Sequence, residues 1–382
     1  MKRWIIPLLS AMLAACATPP QSRQVTHLFN DHLFAPPSER ISAEDIFAIT
    51  PEMQQYVHKI AYQERGQRPQ RALFDALYHQ SKLQLEYDST VTRNAAQTFD
   101  TRSGNCLSLA IMTAALAREI GLTVQYHRVH IDEVWSRSGS LYFSSGHINL
   151  RLEKKRLEWQ TGFDTSQSLT IDFLPPAQTA GLRTTIINEQ TVVAMFMNNR
   201  AAEALARGNV NDAYWWAREA VRQDPRFFSA YNTLGVVYQR RGHPQEARQV
   251  LSQALELEPK NTIVMFNLAQ TLRDLGLTAE ASRMTARLEE LQPHPPYHFF
   301  KLGKDAMQQG DFRSARDLFA KEVERDPSNH EFQFWLASAY FRLGDTERAD
   351  RHMKLALENS TTRGDRELYA AKLHRLKAYL IN

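Results

Sequence analysis

Apolar and polar positions follow two different patterns in this chain. From about residue 194 onward, apolar residues recur three and four positions apart, in one helix-length run after another with short polar breaks between. The breaks are evenly spaced. Gly208, Gly242, Gly276, Gly310 and Gly344 stand 34 residues apart, and Ala213, Ala247, Ala281, Ala315 and Ala349 each follow a glycine by five. Pro225, Pro259, Pro293 and Pro327 keep the same interval, with Thr361 in the fifth slot. Glycine ends a helix through a positive φ, and proline cannot continue one. Each period therefore reads as a pair of helices with a small alanine at the crossing, and Tyr231, Leu234, Tyr238 and Leu251 fill the seam of the second unit. A single pair cannot bury its own apolar face, so five units are expected to stack over residues 194–363, with residues 364–382 capping the end.

Before residue 186 nothing repeats. Ala43–Glu64 and Gln70–Leu85 carry helical patterns, and a further helix runs from Leu107 to Ile120 and closes on Gly121. Leu122–Val129 and His147–Leu152 alternate as strands do, and Leu169–Phe173 is a third short run. The pattern predicts an α+β domain over residues 41–185, a connector at 186–193 and then the all-α array. Cutting away Met195–Asn382 is expected to leave the intrinsic reactivity of Cys106 while recognition of a protein partner is lost.

A period of 34 residues, with these glycines, alanines and prolines, is that of the tetratricopeptide repeat (TPR) family. The resemblance implies a superhelix whose first helices line a concave groove. In that register the groove residues are Asn232 and Arg240, then Phe266 and Arg273, then Tyr297, Phe300 and Lys304, then Phe334 and Phe341. An aromatic lining with a few cations suits an extended peptide bearing apolar side chains and some negative charge.

Composition narrows the partners. The 382 residues are 43% hydrophobic with a net charge of +4, and two of those charges, Lys2 and Arg3, precede a short apolar run from Trp4 to Ala15. That run is too short to span a bilayer and reads as a signal peptide over residues 1–15. Its end, Leu13-Ala14-Ala15-Cys16, resembles the lipobox of bacterial lipoproteins, which implies cleavage before Cys16 and lipid on that residue. Ala17 stands where inner-membrane retention in that family usually takes Asp, so the resemblance implies the outer membrane, facing the periplasm. Residues 16–40 are polar and Pro-containing and are expected to be a flexible tether. No sustained basic run supports nucleic-acid binding, and two cysteines offer no metal-ligand spacing, so neither a metal nor a cofactor is expected.

Lipidation of Cys16 leaves Cys106 as a lone thiol in an oxidising compartment. It follows Ser103-Gly104-Asn105 at the first turn of a helix, where free N–H groups and the dipole favour a thiolate. Downstream, His147 opens a strand after Gly146, and Asp172 sits in the next strand. These motifs together resemble the transglutaminase-like (papain-like) cysteine-enzyme superfamily over roughly Ile41–Thr185. The resemblance implies Cys106 as nucleophile, His147 as base and then acid, and Asp172 orienting the imidazole, with Asp164 as the rival for that third place. Ile148-Asn149 depart from the aromatic that many members carry soon after the histidine. His127, His130 and Arg102 read as surface residues, and Trp135 and Trp159 as acyl-pocket or core residues. Two functions stay open: a lipid-anchored thiol peptidase, amidase or acyltransferase whose array recruits a protein, and a catalytically inactive scaffold or assembly factor of an envelope complex.

Overall fold

A computed structural model describes residues 25–63, 68–78, 85–130, 135–138, 141–144, 146–154, 168–173, 181–360 and 362–381. The signal sequence, Cys16, Trp159 and Asp164 lie outside the described residues.

Helices α1 (Pro51–Gln63) and α2 (Pro69–Tyr78) open the N-terminal unit, each with proline in its first turn. α1 starts at Pro51 rather than Ala43 because a proline disfavours helical backbone in the residue before it. Strand β1 (Glu86–Tyr87) runs parallel to β2 (Ser103–Gly104), with α3 (Ala95–Thr101) between them in sequence. Next come α4 (Cys106–Glu119), β3 (Leu122–Val129), a hairpin of β4 (Trp135–Ser138) and β5 (Leu141–Ser144), β6 (His147–Lys154), β7 (Ser168–Ile171) and β8 (Thr184–Ile187). β7, β6, β3 and β8 form one antiparallel sheet in that order. α4 is apolar on every side, as a helix buried all round must be, and it packs on β3 and β6.

The array has five helix pairs: α5 (Glu189–Ala206) and α6 (Val210–Gln223), α7 (Phe228–Arg241) and α8 (Pro244–Leu257), α9 (Thr262–Asp274) and α10 (Thr278–Leu291), α11 (His298–Gln309) and α12 (Phe312–Arg325), α13 (His330–Arg342) and α14 (Thr346–Glu358). α15 (Arg363–Ile381) closes it. The five periodic glycines all have φ between 73° and 85°, as helix endings of this kind require. Close crossing depends on Gly235 and Gly303 as well as on the alanines: a Cβ on Gly235 would fall 2.5 Å from Leu251 Cγ, and one on Gly303 2.6 Å from Phe319.

Three expectations change. First, the array begins at Glu189, directly after β8, so no connector separates the two units. Arg118 of α4 pairs with Glu189, and Val192–Met197 share one apolar core with α4 and the sheet. A cut at Met195 would therefore pass through that core.

Second, the tether expected over residues 16–40 is docked from Val25 onward, along the first two repeats. Phe34 stacks on Tyr214 with ring centroids 3.9 Å apart and packs against Tyr238. The Tyr238 hydroxyl donates to the Leu28 carbonyl at 2.8 Å and accepts from Asn30 N–H at 3.0 Å. Asp31 accepts from the Tyr214 hydroxyl at 2.6 Å and pairs with Arg218 at 2.9 Å. Glu39 accepts from Arg200 and from the Trp216 indole, each at 2.9 Å. Its composition suits a tether, but burial of Leu28 and Phe34 makes this strap part of the core.

Third, the array is not one continuous stack. The main apolar core runs from Val25 to Ala281, and a second starts at Tyr297. Alone among successive array helices, α10 and α11 barely touch, where Pro293, Pro295 and Pro296 interrupt the chain and Tyr297 takes φ 62°.

Candidate thiol site and repeat array

Local folding brings Cys106 to the start of α4. Asn94 caps α3 in a capping box with Gln97, and Arg102 turns the chain out of that helix with φ 54°. Gly104 is required by crowding, since a Cβ there would meet Ser108 Cβ at 2.6 Å. Asn105 is the N-cap of α4, accepting from Ser108 N–H at 2.9 Å, while its amide donates to Thr92 Oγ1 at 2.8 Å. Cys106 is then the first helical residue, and its thiol is half-buried.

His147 is the first residue of β6 and is 4% exposed. The antiparallel register pairs Leu150 with Ile171, which sets Asp172 across from Asn149 and near His147. His147 Nε2 bonds Asp172 Oδ1 at 2.6 Å, and Asn149 Nδ2 donates to Asp172 Oδ2 at 3.2 Å. The Cys106 side chain lies near enough to the imidazole to act on its titration. Burial is the largest single influence on the imidazolium and pulls its pKa down. The hydrogen bond to Asp172, the neighbouring Cys106 side chain and the charge of both overcome it and push the pKa up to about 9. The three residues expected to act together are thus neighbours, and Asn149, which replaces the expected aromatic, holds the second carboxylate oxygen.

Two further residues join the site without any sequence signal. β1–β2 pairing sets Tyr87 beside Gly104 and close to Cys106; burial first, then the sulfur's charge, raises its pKa far above that of a free phenol. A lone tyrosine in a two-residue strand carries no periodicity to find. Glu203 of α5 accepts from the Thr92 N–H at 2.6 Å, so the first array helix reaches the Asn105 cap through one intervening residue. Burial pushes the Glu203 carboxyl up, against its hydrogen bonds from Thr92.

The other candidates have local roles. His127 Nε2 bonds Gln125 at 3.0 Å, His130 Nε2 bonds Thr185 at 3.1 Å, and Arg102 is exposed. Trp135 lies on β4. Among the described residues no group of three or more His, Cys, Asp and Glu could hold a metal, and no helix is long and apolar enough to cross a membrane.

The expected groove divides. Phe266 is 50% exposed and Phe341 40%, and Arg240 is exposed at the end of α7. Asn232 accepts from Asn267 at 2.9 Å, and Arg273 bonds Gln270 and Thr285. Lys304 lies over the Trp335 ring at 5.0 Å. Tyr297 and Phe300 are corrections: both are buried, packed on Phe332 with Phe300 also against Phe319, and cannot line a groove. Phe334 stacks on Tyr369 of α15 and belongs to the end cap.

Family models of the tetratricopeptide repeat match residues 216–249, 238–299 and 300–361. Residues 216–361 are tetratricopeptide repeats. The TPR array is similar to that of YrrB, described as a TPR protein with an unusual peptide-binding site, at 22% identity and TM-score 0.26 over 47% of this chain and 92% of that one. MamA protein is similar at 20% identity and TM-score 0.26, over 45% and 93%. Pseudomonas aeruginosa pilF is similar at 20% identity and TM-score 0.28, over 50% and 94%. These likenesses concern the helical repeat alone. Repeats of this kind point to a protein–protein interaction or scaffold role for this half of the chain.

Proposed function

We propose that the TPR array holds a polypeptide partner while Cys106 carries out acyl chemistry on an amide of it. The observation that carries this reading is the bond between buried His147 and Asp172 at 2.6 Å, beside a thiol at a helix N-terminus. The Cys106 sulfur, its proton passed to His147, attacks the amide carbonyl and forms a C–S bond. The C–N bond breaks as the imidazolium gives its proton to the departing amine. Neutral His147 then takes a proton from water, whose oxygen displaces the sulfur; the acid leaves and the thiol is restored. An amine in place of water would give a cross-linked product. Oxyanion charge in both steps would be met by the Cys106 backbone N–H at the start of α4, with the neighbouring Tyr87 hydroxyl as second donor. Lipid on Cys16 and an outer-membrane, periplasm-facing position complete the proposal.

A second reading is favoured by the family matches, which fall on the repeats: a protein-binding scaffold in which the thiol site performs no turnover. A thiol-directed activity probe applied to isolated envelopes separates the two. Labelling of the wild type that is lost in Cys106→Ala supports the enzyme. Capture of the same protein partner by both forms, with no labelling of either, leaves the scaffold.

A further inference from the structure

The strap occupies only part of a surface that the 34-residue period repeats. Its docking residues Tyr214, Arg218 and Tyr238 correspond, one repeat on, to Arg248, Ser252 and Leu272. In the first position two tyrosines and an arginine receive Phe34 and Asp31. In the second, Arg248, Ser252 and Leu272 stand in these places and help line a cavity of about 470 Å³ between α8, α9 and α10. Its floor is apolar, made by Leu255, Leu268, Leu272 and Met284, and Arg283 and Arg287 of α10 stand at its rim.

Direction matters as well. The strap descends from the second repeat to the first: its Thr26–Leu28 turn rests on α8, while Glu39 ends at Arg200 of α5 and Trp216 of α6. The cavity therefore continues the same track beyond the strap's upper end. It also lies where the array is least closed, since α10 buries fully only Ala281 and barely meets α11.

We propose that this cavity is a docking site for an extended segment of a partner protein, one that carries an apolar or aromatic side chain close to a carboxylate. Two observations select that occupant. The strap, two short helical turns (Thr26–Leu28 and Asp31–Leu33) followed by extended residues, is a segment of that chemistry already seated on the equivalent surface, and the cavity is continuous with its interface. The charge is also complementary: Arg248, Arg283 and Arg287 face Glu256 and Glu280, leaving a cationic excess over an apolar floor. Arg248 is held by Glu280 at 3.1 Å and Arg287 donates one N–H to the Pro259 carbonyl at 2.8 Å, which assigns the incoming carboxylate first to Arg283, with the remaining donors of Arg287 beside it. Nothing in this site depends on the reactivity of Cys106.

The probe is a fluorescent synthetic peptide copying residues 27–39, titrated by anisotropy into the full chain, whose own strap stays in place. Saturable binding is expected, weakened about tenfold or more in Arg283→Glu/Arg287→Glu and within about twofold of wild type in the distant Arg351→Glu. A peptide with a photoreactive phenylalanine at the position of Phe34 should cross-link to α8, α9 or α10. Three results would overturn the proposal: no saturation up to about 1 mM, undiminished binding by the double variant, or cross-links falling on Tyr214 and Tyr238, which would mean exchange with the strap. Equal thermal midpoints for the variants keep loss of binding distinct from loss of fold.

Discussion

Repeats one and two share their helical period with repeats four and five, yet the two pairs are put to different use. The first pair is built into the thiol domain. α5 shares its core, Arg118 and Glu203 tie it to the segments around α4, and the strap covers the outside of α6 and α7. The last pair has a core of its own, centred on Phe300, Phe319 and Phe332, and sits beyond a proline-rich break. The described link from the capping helix α15 to the N-terminal domain, Arg366 to Glu86, is exposed and 4.0 Å long, a pairing worth at most about 1 kcal/mol. Equal spacing therefore says where helices begin and end. It does not say which surfaces are already occupied, and the residues outside the period decide that.

The comparison is most severely tested by truncation. Removing residues 189–382 takes α5 from the common core, and loss of the cooperative fold of the remainder is expected in near-ultraviolet circular dichroism. Removing residues 293–382 should leave the thermal midpoint of the first half nearly unchanged. If both truncations behave alike, the division of the array is wrong.

Single side chains should follow the same divide. Phe34→Ala empties a buried, stacked site and should cost about 3 kcal/mol in urea unfolding. Phe341→Ala, at a position 40% exposed, should cost less than about 0.5 kcal/mol. Similar losses at both positions would mean that the strap is not structural.

Titration sharpens the contrast within the thiol domain. The folded state raises the His147 pKa to about 9, so its contribution is complete below the unfolded value of about 6.5 and is lost as pH rises through about 9. Wild type minus Asp172→Asn should therefore show a stability difference that shrinks across that window, by less than the roughly 3 kcal/mol that the full shift represents, because Cys106 supplies part of it. A smaller effect is expected from Glu203→Ala, which strands the buried Thr92 N–H and should cost about 2 kcal/mol. Glu203→Gln keeps an acceptor and should recover most of it; no difference between the two would remove α5 from the support of the Asn105 cap.

Much of this was legible from sequence, for stated reasons. The period announced the helix ends, and a cysteine after Gly104-Asn105 followed by a strand-opening histidine announced the site. Asp172 was legible too, from the next strand and with Asp164 as its rival; the register that pairs Leu150 with Ile171 and brings it to His147 is what no local pattern encodes. The strap was misjudged because polar composition says nothing of tertiary partners. Phe266, Phe300 and Phe334 occupy one position of the repeat, yet one is exposed, one buried and one stacked on the end cap. The period fixes the face of the helix; Phe319, Phe332 and Trp335 beside Phe300 decide its burial.

The central claim is that Cys106, His147 and Asp172 act as one reactive unit. The most direct test is the rate of iodoacetamide alkylation of Cys106 from about pH 5 to about pH 10, in wild type, His147→Ala and Asp172→Asn, followed by intact-mass spectrometry. The account expects fast alkylation of the wild type below the His147 transition near pH 9, slowed about tenfold or more in both variants. Superimposable pH profiles for the three proteins would contradict it.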